Sequence, residues 1–329
     1  MDIDAVITWV DGGDPKLRDK LLKYGTPKEL EAEDVAGSTR YSNLGEIFYC
    51  VASLNRFAPW LHRIYIVTDN QDPNLLPFLE WHFPDGYIPM EIVDHKIIYR
   101  GYEEYLPTFN SISIETMTWR IPGLSEYYIE FNDDLVLASP VSPEDFFLPN
   151  GQSVCYANHY SMHWTRFTRL LKPNINGRRK VTFKGNMYNA ALMMNRRFLF
   201  LKLAHTPKAL RKSCYEQYFS NFPDSLIRNI THRFRHSEQF TSQELQYLFL
   251  QDRSGLEVRS VRGKLFFLQP KARKGYVSRK MNRLRHMPQC KFCCFNSLDK
   301  ATSEEYKQII QWMEERLDVS VGSVVADGQ

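Results

Sequence analysis

The stretch Ile3-Asp4-Ala5-Val6-Ile7-Thr8-Trp9-Val10, which runs straight into Asp11-Gly12-Gly13-Asp14-Pro15, decides the fold. Val6, Ile7, Thr8, Trp9 and Val10 are β-branched or aromatic, the composition of a strand buried on both faces. Two glycines then allow a tight turn or a close approach of backbone to a ligand. Ligands of open α/β sheets bind beyond the carboxyl ends of such strands. The acidic turn is therefore either a pocket wall or an ordinary solvated βα turn.

Outward from it, strands and helices alternate. Asn43-x-x-Glu46 offers a capping box, and Leu44, Ile47, Phe48, Val51 and Leu54 follow at helical spacing. Arg63 to Thr68 is a second apolar strand, ending in Asp69-Asn70-Gln71-Asp72-Pro73. Ile88 to Val93 predicts a third strand, Ser111 to Arg120 a helix, and Glu126 to Phe131 a fourth strand running into Asn132-Asp133-Asp134. Strand, helix, strand implies a parallel sheet. The expected class is α/β, Rossmann-like and GT-A-like: a mostly parallel sheet flanked by helices, with a basic and aromatic insertion and a helical C-terminal part. Residues 1–157 are expected to form the N-terminal α/β part, 158–186 an insertion near the site, and 187–329 the part completing the same domain. Helices are expected over Pro207–Phe219 and Ser237–Leu250, and from a cap at Thr302 through Met313.

A chain of 329 residues with 43% hydrophobic and 14% aromatic content buries a large core, which excludes a disordered adaptor. No stretch approaches the roughly 18 to 20 apolar residues of a membrane span. The first strand leaves no room for a signal peptide, so a cytoplasmic location is expected. Cys50, Cys155 and Cys214 stand singly among apolar neighbours, as reduced core residues do. Cys290, Cys293 and Cys294 lack the second pair of a zinc knuckle, and Phe292 to Phe295 has the pattern of a buried strand. The net charge is +4, but residues 258–298 hold no Asp or Glu while Lys271, Arg273, Lys274, Arg279, Lys280, Arg283 and Arg285 crowd there. This strip, 262–285, is a candidate handle for an anionic polymer or the inner membrane face; nucleic acid is not an expected partner.

The sharpest local constellation is Asn132-Asp133-Asp134. Successive side chains alternate across a strand, so one aspartate can face the active edge while the other anchors a loop. Such pairs occur where a divalent metal sits beside a diphosphate.

In Thr8-Trp9-Val10-Asp11-Gly12-Gly13-Asp14-Pro15, Arg40-Tyr41-Ser42-Asn43-Leu44-Gly45-Glu46, Ala58 to Thr68, Leu106 to Ser111, Ile121 to Glu126 and Asn132-Asp133-Asp134, read in order, the chain resembles the Stealth family of sugar-phosphate transferases. Its third conserved region is similar to Leu203 to Pro207 followed by Phe234 to Glu238, and its fourth to Phe292 to Asp299. The fourth departs from the family pattern, with Asn296-Ser297 where Asn-Asp is common.

The resemblance implies transfer of a sugar-1-phosphate from a nucleotide-sugar, usually a UDP-sugar, to an acceptor hydroxyl of a glycan, with UMP leaving. It makes Asp133, Asp134, His205 and Arg235 the catalytic candidates. Trp9, Asp11, Gly12, Asp14, Arg40, Asn43 and Asn132 become the substrate-binding ones, and Asp133 and Asp134 the candidate ligands of Mg²⁺ or Mn²⁺. The expected partners are the nucleotide-sugar and an oligosaccharide or polysaccharide acceptor. Two other classes remain open at this point: a glycosyltransferase releasing UDP, and a non-catalytic glycan-binding module. His95, His159, His163, His236 and His286 carry no comparable motif and are set aside as structural or surface residues.

Overall fold

The computed structural model describes residues 1–37, 41–171 and 179–321. Among them eleven strands occur: β1 (Ile3–Thr8), β2 (Arg63–Thr68), β3 (Met90–Asp94), β4 (Tyr127–Asn132), β5 (Leu135–Leu137), β6 (Ser153–Ser161), β7 (Leu199–Leu203), β8 (Lys208–Arg211), β9 (Leu256–Arg259), β10 (Leu265–Leu268) and β11 (Phe292–Phe295). The central sheet has the order β3-β2-β1-β4-β8. Its first four strands are parallel, and β8 is antiparallel to β4. The expected α/β, Rossmann-like class is what the chain adopts, with two three-stranded sheets, β10-β11-β5 and β7-β6-β9, added at its sides.

The sheet is buried on both faces, which is why its strands are nearly continuous apolar runs. Ile3, Ala5, Ile7, Ile64 and Ile66 belong to one core, whereas Val6, Tyr65 and Val67 belong to the other. The first core is closed by the helices Glu46–Phe57 and Ser303–Leu317, the second by Phe183–Met193 and Ser242–Gln251.

Three expectations are corrected. The helix Glu46–Phe57 has no capping box: Gly45, at φ 87°, occupies the N-cap. Asn43 Oδ1 instead accepts from Gly45 N–H, and Glu46 Oε2 accepts from Leu44 N–H, so both side chains tie the preceding turn. The expected helix from Pro207 begins instead as β8, because Lys208–Arg211 completes the sheet edge beside β4, and helix runs only over Lys212–Asn221. The helix expected from Ser237 starts at Ser242. By contrast, Thr302 and Glu305 form the expected capping box, and Phe292–Phe295 is the expected buried strand. All six cysteines are free and buried, with Cys290 Sγ 3.8 Å from Cys293 Sγ. No helix among the described residues is long and apolar enough to cross a membrane.

Candidate active site

The sheet register builds the site. Thr8 lies opposite Asn132, so β1 and β4 end side by side and deliver Trp9 and Asp133 to the same edge. Glu130 lies opposite Lys208, so the antiparallel β8 brings the preceding turn, 204–207, against the end of β4. At this edge opens a cleft of about 560 Å³. Trp9, Asn132, Asp133, Asp134, His205 and Arg235 all line it. These six candidates come from four separated parts of the chain, and the fold collects them.

The carboxylate side of the cleft is crowded. Asp134 is held by β11 and the residues after it: its carbonyl accepts from Phe295 N–H at 2.9 Å, and its Oδ2 accepts from Asn296 Nδ2 at 3.0 Å and from Cys294 Sγ at 3.6 Å. Asn296, in the fourth region, thus has a clear structural task. Burial pushes the Asp133 carboxyl well above its ordinary range, and the charges of Asp134 and Glu46 push it further. Asp134 and Glu46 are raised too, both chiefly by burial, Glu46 also by Asp134 and Asp299. Three carboxyls thus line one side of a partly dry cleft, where the charge of each disfavours ionisation of its neighbours.

The opposite side is basic and aromatic. His205 sits between the rings of Phe267 and Phe183, at 4.8 and 5.4 Å between centroids. The surrounding protein and then Lys208 and Lys202 pull its imidazole below the usual range, so it is neutral at pH 7. Arg235 Nη2 donates to Ser111 Oγ at 2.6 Å. Lys208 Nζ donates to Ala204 O at 2.6 Å and to Thr206 O, folding the turn that presents His205. Beneath it Gln243 Nε2 donates to Glu115 Oε2 at 3.0 Å and to Glu130 Oε1, one amide bridging a half-buried and a buried carboxyl. Burial and then the Glu115 charge raise Glu130 to about 8, against the opposing pull of the Gln243 hydrogen bond and Lys208, and burial lowers Lys208 to about 8.

Sequence reasoning missed Lys208, Glu115, Glu130, Gln243 and His95, all of which line the cleft. Glu130 carried a signal: a carboxylate inside the apolar run Tyr127-Tyr128-Ile129-Glu130-Phe131 needs a partner when buried. His95, set aside as structural, is in the wall, and burial holds it neutral, at about 4. Its Nδ1, Trp9 Nε1, Thr108 Oγ1 and Thr206 Oγ1 are buried without a protein partner, and all four residues line the cleft. Such unsatisfied groups are costly, and they cluster where a polar ligand would meet them.

The other candidates lie around the wall and outside its lining. Asp14 caps the helix Pro15–Tyr24, accepting from Lys16 N–H, and also accepts from Gln71 Nε2. Asp11 Oδ1 accepts from Gly13 N–H, while Gln71 bonds its backbone on both sides. Gly12 N–H donates to Tyr41 O at 2.8 Å, and a Cβ on Gly12 would lie 2.1 Å from that oxygen. The glycine is there so that Tyr41, which does line the cleft, can pack on the turn. Asn43 ties the turn beside Ser42, another lining residue. Arg40 lies outside the described residues.

Fold and cleft together define a Rossmann-like α/β protein with acidic and basic walls facing each other at the carboxyl ends of its central strands. Two regions of the chain match the Stealth family: residues 1–26 match conserved region 1 of the Stealth proteins, and residues 40–155 match conserved region 2. Asp133 and Asp134 fall inside the second match, and His205 and Arg235 lie beyond it. The chain is 34% identical over 238 residues to the capsular polysaccharide phosphotransferase LcbA of Aeromonas hydrophila, covering 71% of this chain and 61% of that protein. It is 30% identical over 241 residues to the capsular polysaccharide phosphotransferase of Neisseria meningitidis serogroup B, covering 72% and 61%. With the exopolysaccharide phosphotransferase SCO2592 of Streptomyces coelicolor the identity is 34% over 235 residues, 69% of this chain and 23% of that one. The chain therefore spans less than two thirds of the length of these relatives. Among solved structures it is similar to the galactosyltransferase LgtC in complex with donor and acceptor sugar analogues, at 8% identity, 97% and 96% coverage and a TM-score of 0.44.

Proposed function

We propose that the cleft transfers a sugar-1-phosphate from a nucleotide-sugar, a UDP-sugar by preference, to a hydroxyl of a glycan acceptor in the synthesis of a capsular or other surface polysaccharide. The observation that carries this reading is the cleft's division into a carboxylate wall and a basic wall, since attack on a diphosphate needs charge neutralised on one side and a proton removed on the other. The names of the relatives support the reaction class.

In this reading the acceptor oxygen attacks the phosphorus that bears the sugar, and the bond from that phosphorus to the bridging oxygen breaks. UMP then leaves with the electron pair, and a phosphodiester remains. The acceptor proton goes to neutral His205, whose basicity rises once an anionic diphosphate offsets Lys202 and Lys208. Arg235 and Lys208 meet phosphate oxygens. Trp9 Nε1, Thr108 Oγ1 and Thr206 Oγ1 supply the buried groups that a nucleotide-sugar would satisfy. Asp133 and Asp134, with Glu46 behind them, suit Mg²⁺ or Mn²⁺, and their raised protonation fits such a cation. When bound it would neutralise charge on the diphosphate. Asp11, Gly12, Asp14 and Asn43 shape the donor wall from behind, and Asn132 stands at its rim. In this reading residues 1–157 are the donor half, 158–186 an insertion near the site of which the described Lys180, Val181, Thr182 and Phe183 line the cleft, and 187–329 the part that completes the same catalytic domain.

The deciding experiment incubates purified protein with UDP-sugars and an oligosaccharide acceptor and identifies the nucleotide released. UMP is expected. UDP would replace this reading with a glycosyltransferase, and no nucleotide from any donor would leave a glycan-binding module.

A further inference from the structure

The helix Met162–Leu171 is built inside out. Met162 and Thr165 are buried, and Arg169 Nη1 points inward, donating to Gly185 O at 3.1 Å and to Asn189 Oδ1 at 3.3 Å. Its solvent side carries Trp164, Phe167, Leu170 and Leu171. Phe198 and Leu199 continue the patch, since Phe198 O accepts from Met162 N–H and its ring lies 6.1 Å from His163. These six side chains are between 50% and 71% exposed. An apolar patch of six large residues is more than a soluble surface carries by chance.

The stretch of sequence that carries it has charge of one sign. Residues 146–215 contain thirteen Lys and Arg and no Asp or Glu. Arg166 on the helix itself, Arg197 beside Phe198, and Lys202 on β7 are exposed near the patch. Arg169 links this helix to Phe183–Met193, whose first residue lines the cleft, so the patch adjoins the cleft mouth. The basic strip at 262–285 differs in the feature that matters. Its helix Tyr276–Arg285 turns Val277, Met281 and Leu284 inward, and among the described residues no large apolar side chain beyond Phe222 is strongly exposed.

We propose that the face formed by Met162–Leu171 and Phe198–Leu199 docks peripherally onto an anionic lipid surface, with Trp164, Phe167, Leu170 and Leu171 entering the interface and Arg166 and Arg197 meeting headgroup phosphates. Aromatic and leucine side chains on one helical face, rimmed by arginine, are what interfacial helices use. Anionic headgroups complement a stretch of 70 residues that lacks any carboxylate side chain. Docking there would set the cleft mouth beside the bilayer, where a lipid-linked glycan presents its growing end. The inference is independent of which reaction the cleft performs.

The test is flotation of the whole chain with vesicles of phosphatidylcholine alone and of phosphatidylcholine with one quarter phosphatidylglycerol. Binding to the anionic vesicles is expected, weakened by salt. Phe167→Asp with Leu170→Asp should reduce partitioning at least about tenfold, and Arg166→Glu with Arg197→Glu should abolish the preference for phosphatidylglycerol. All four positions are exposed, so circular dichroism and thermal melting of both variants should match the parent. Failure to bind anionic vesicles, or undiminished binding by the Asp variant, overturns the proposal. So does a chain that is dimeric by light scattering and becomes monomeric in the Asp variant, because the patch would then be a contact between copies.

Discussion

At the scale of single residues, the cleft is a place where the fold gives up stability. Asp133 is half-buried near two other carboxyls whose charges raise its own, an arrangement that function retains and packing alone would not. Asp133→Asn keeps the shape and removes one charge. We expect it to raise stability by on the order of 1 kcal/mol, read as about 2–4 °C in melting temperature, while nucleotide release from a UDP-sugar is lost. A lower melting temperature would show that the carboxylate is a structural anchor. Gly12 makes the opposite case. Its Cβ position is occupied by Tyr41 O, so Gly12→Ala must push the Tyr41 segment away at roughly 1–3 kcal/mol. Urea denaturation should register that loss, and the donor KM should rise because Tyr41 lines the cleft; an unchanged midpoint would mean the turn yields freely.

At the scale of elements, what could be read in the sequence divides along physical lines. Strands β1, β2 and β4 were legible because burial on both faces leaves unbroken apolar runs, and the acidic turns after them, at Asp11, Asp69 and Asp133, lie at the sheet edge where the cleft opens. β8 was not legible. Four residues following a proline, with Lys208 at one end and Arg211 at the other, carry no period that separates a strand from a helix start. They become a strand only because β4 offers an open edge. Met162–Leu171 was illegible for a different reason: its apolar residues face solvent, so its pattern does not resemble a core helix. The site shares this division, since Asp133 and Asp134 announce themselves locally whereas Lys208 matters only through its register with Glu130. Lys208→Met removes both donations to the 204–207 turn. It should cost about 2 kcal/mol in chemical denaturation and disorder the presentation of His205. A variant as stable as the parent would show that β8 alone fixes that turn.

At the scale of the whole molecule, the buried titratable groups give stability a direction with pH. Glu46, Glu115, Glu130, Asp133 and Asp134 are all raised in the folded chain, each chiefly by burial. A raised carboxyl binds a proton in the folded state that the unfolded chain has released, so its contribution is lost as pH climbs through the folded value. His95, His205 and His232 are depressed, to about 4, and act in the other direction, losing stability as pH falls from the ordinary imidazole range near 6.5 towards 4. Below pH 6.5 the two sets oppose each other. Between about 6.5 and 8 the raised carboxyls dominate, with Glu130 still largely protonated below its value of about 8, and Lys208, lowered to about 8, opposes them only towards the top of that window. Melting temperature should therefore fall over that window, and Asp133→Asn should flatten the fall. Added Mg²⁺ or Mn²⁺ should raise the melting temperature more at pH 8 than at pH 6, because a cation competes with the protons that the cluster holds at lower pH. The stabilisation should vanish in Asp133→Asn combined with Asp134→Asn. Calorimetry at both pH values, with and without the cation, checks all three points. A cation effect that persists in the double variant would place the binding elsewhere on the protein, and one that does not depend on pH would separate it from the carboxylate wall.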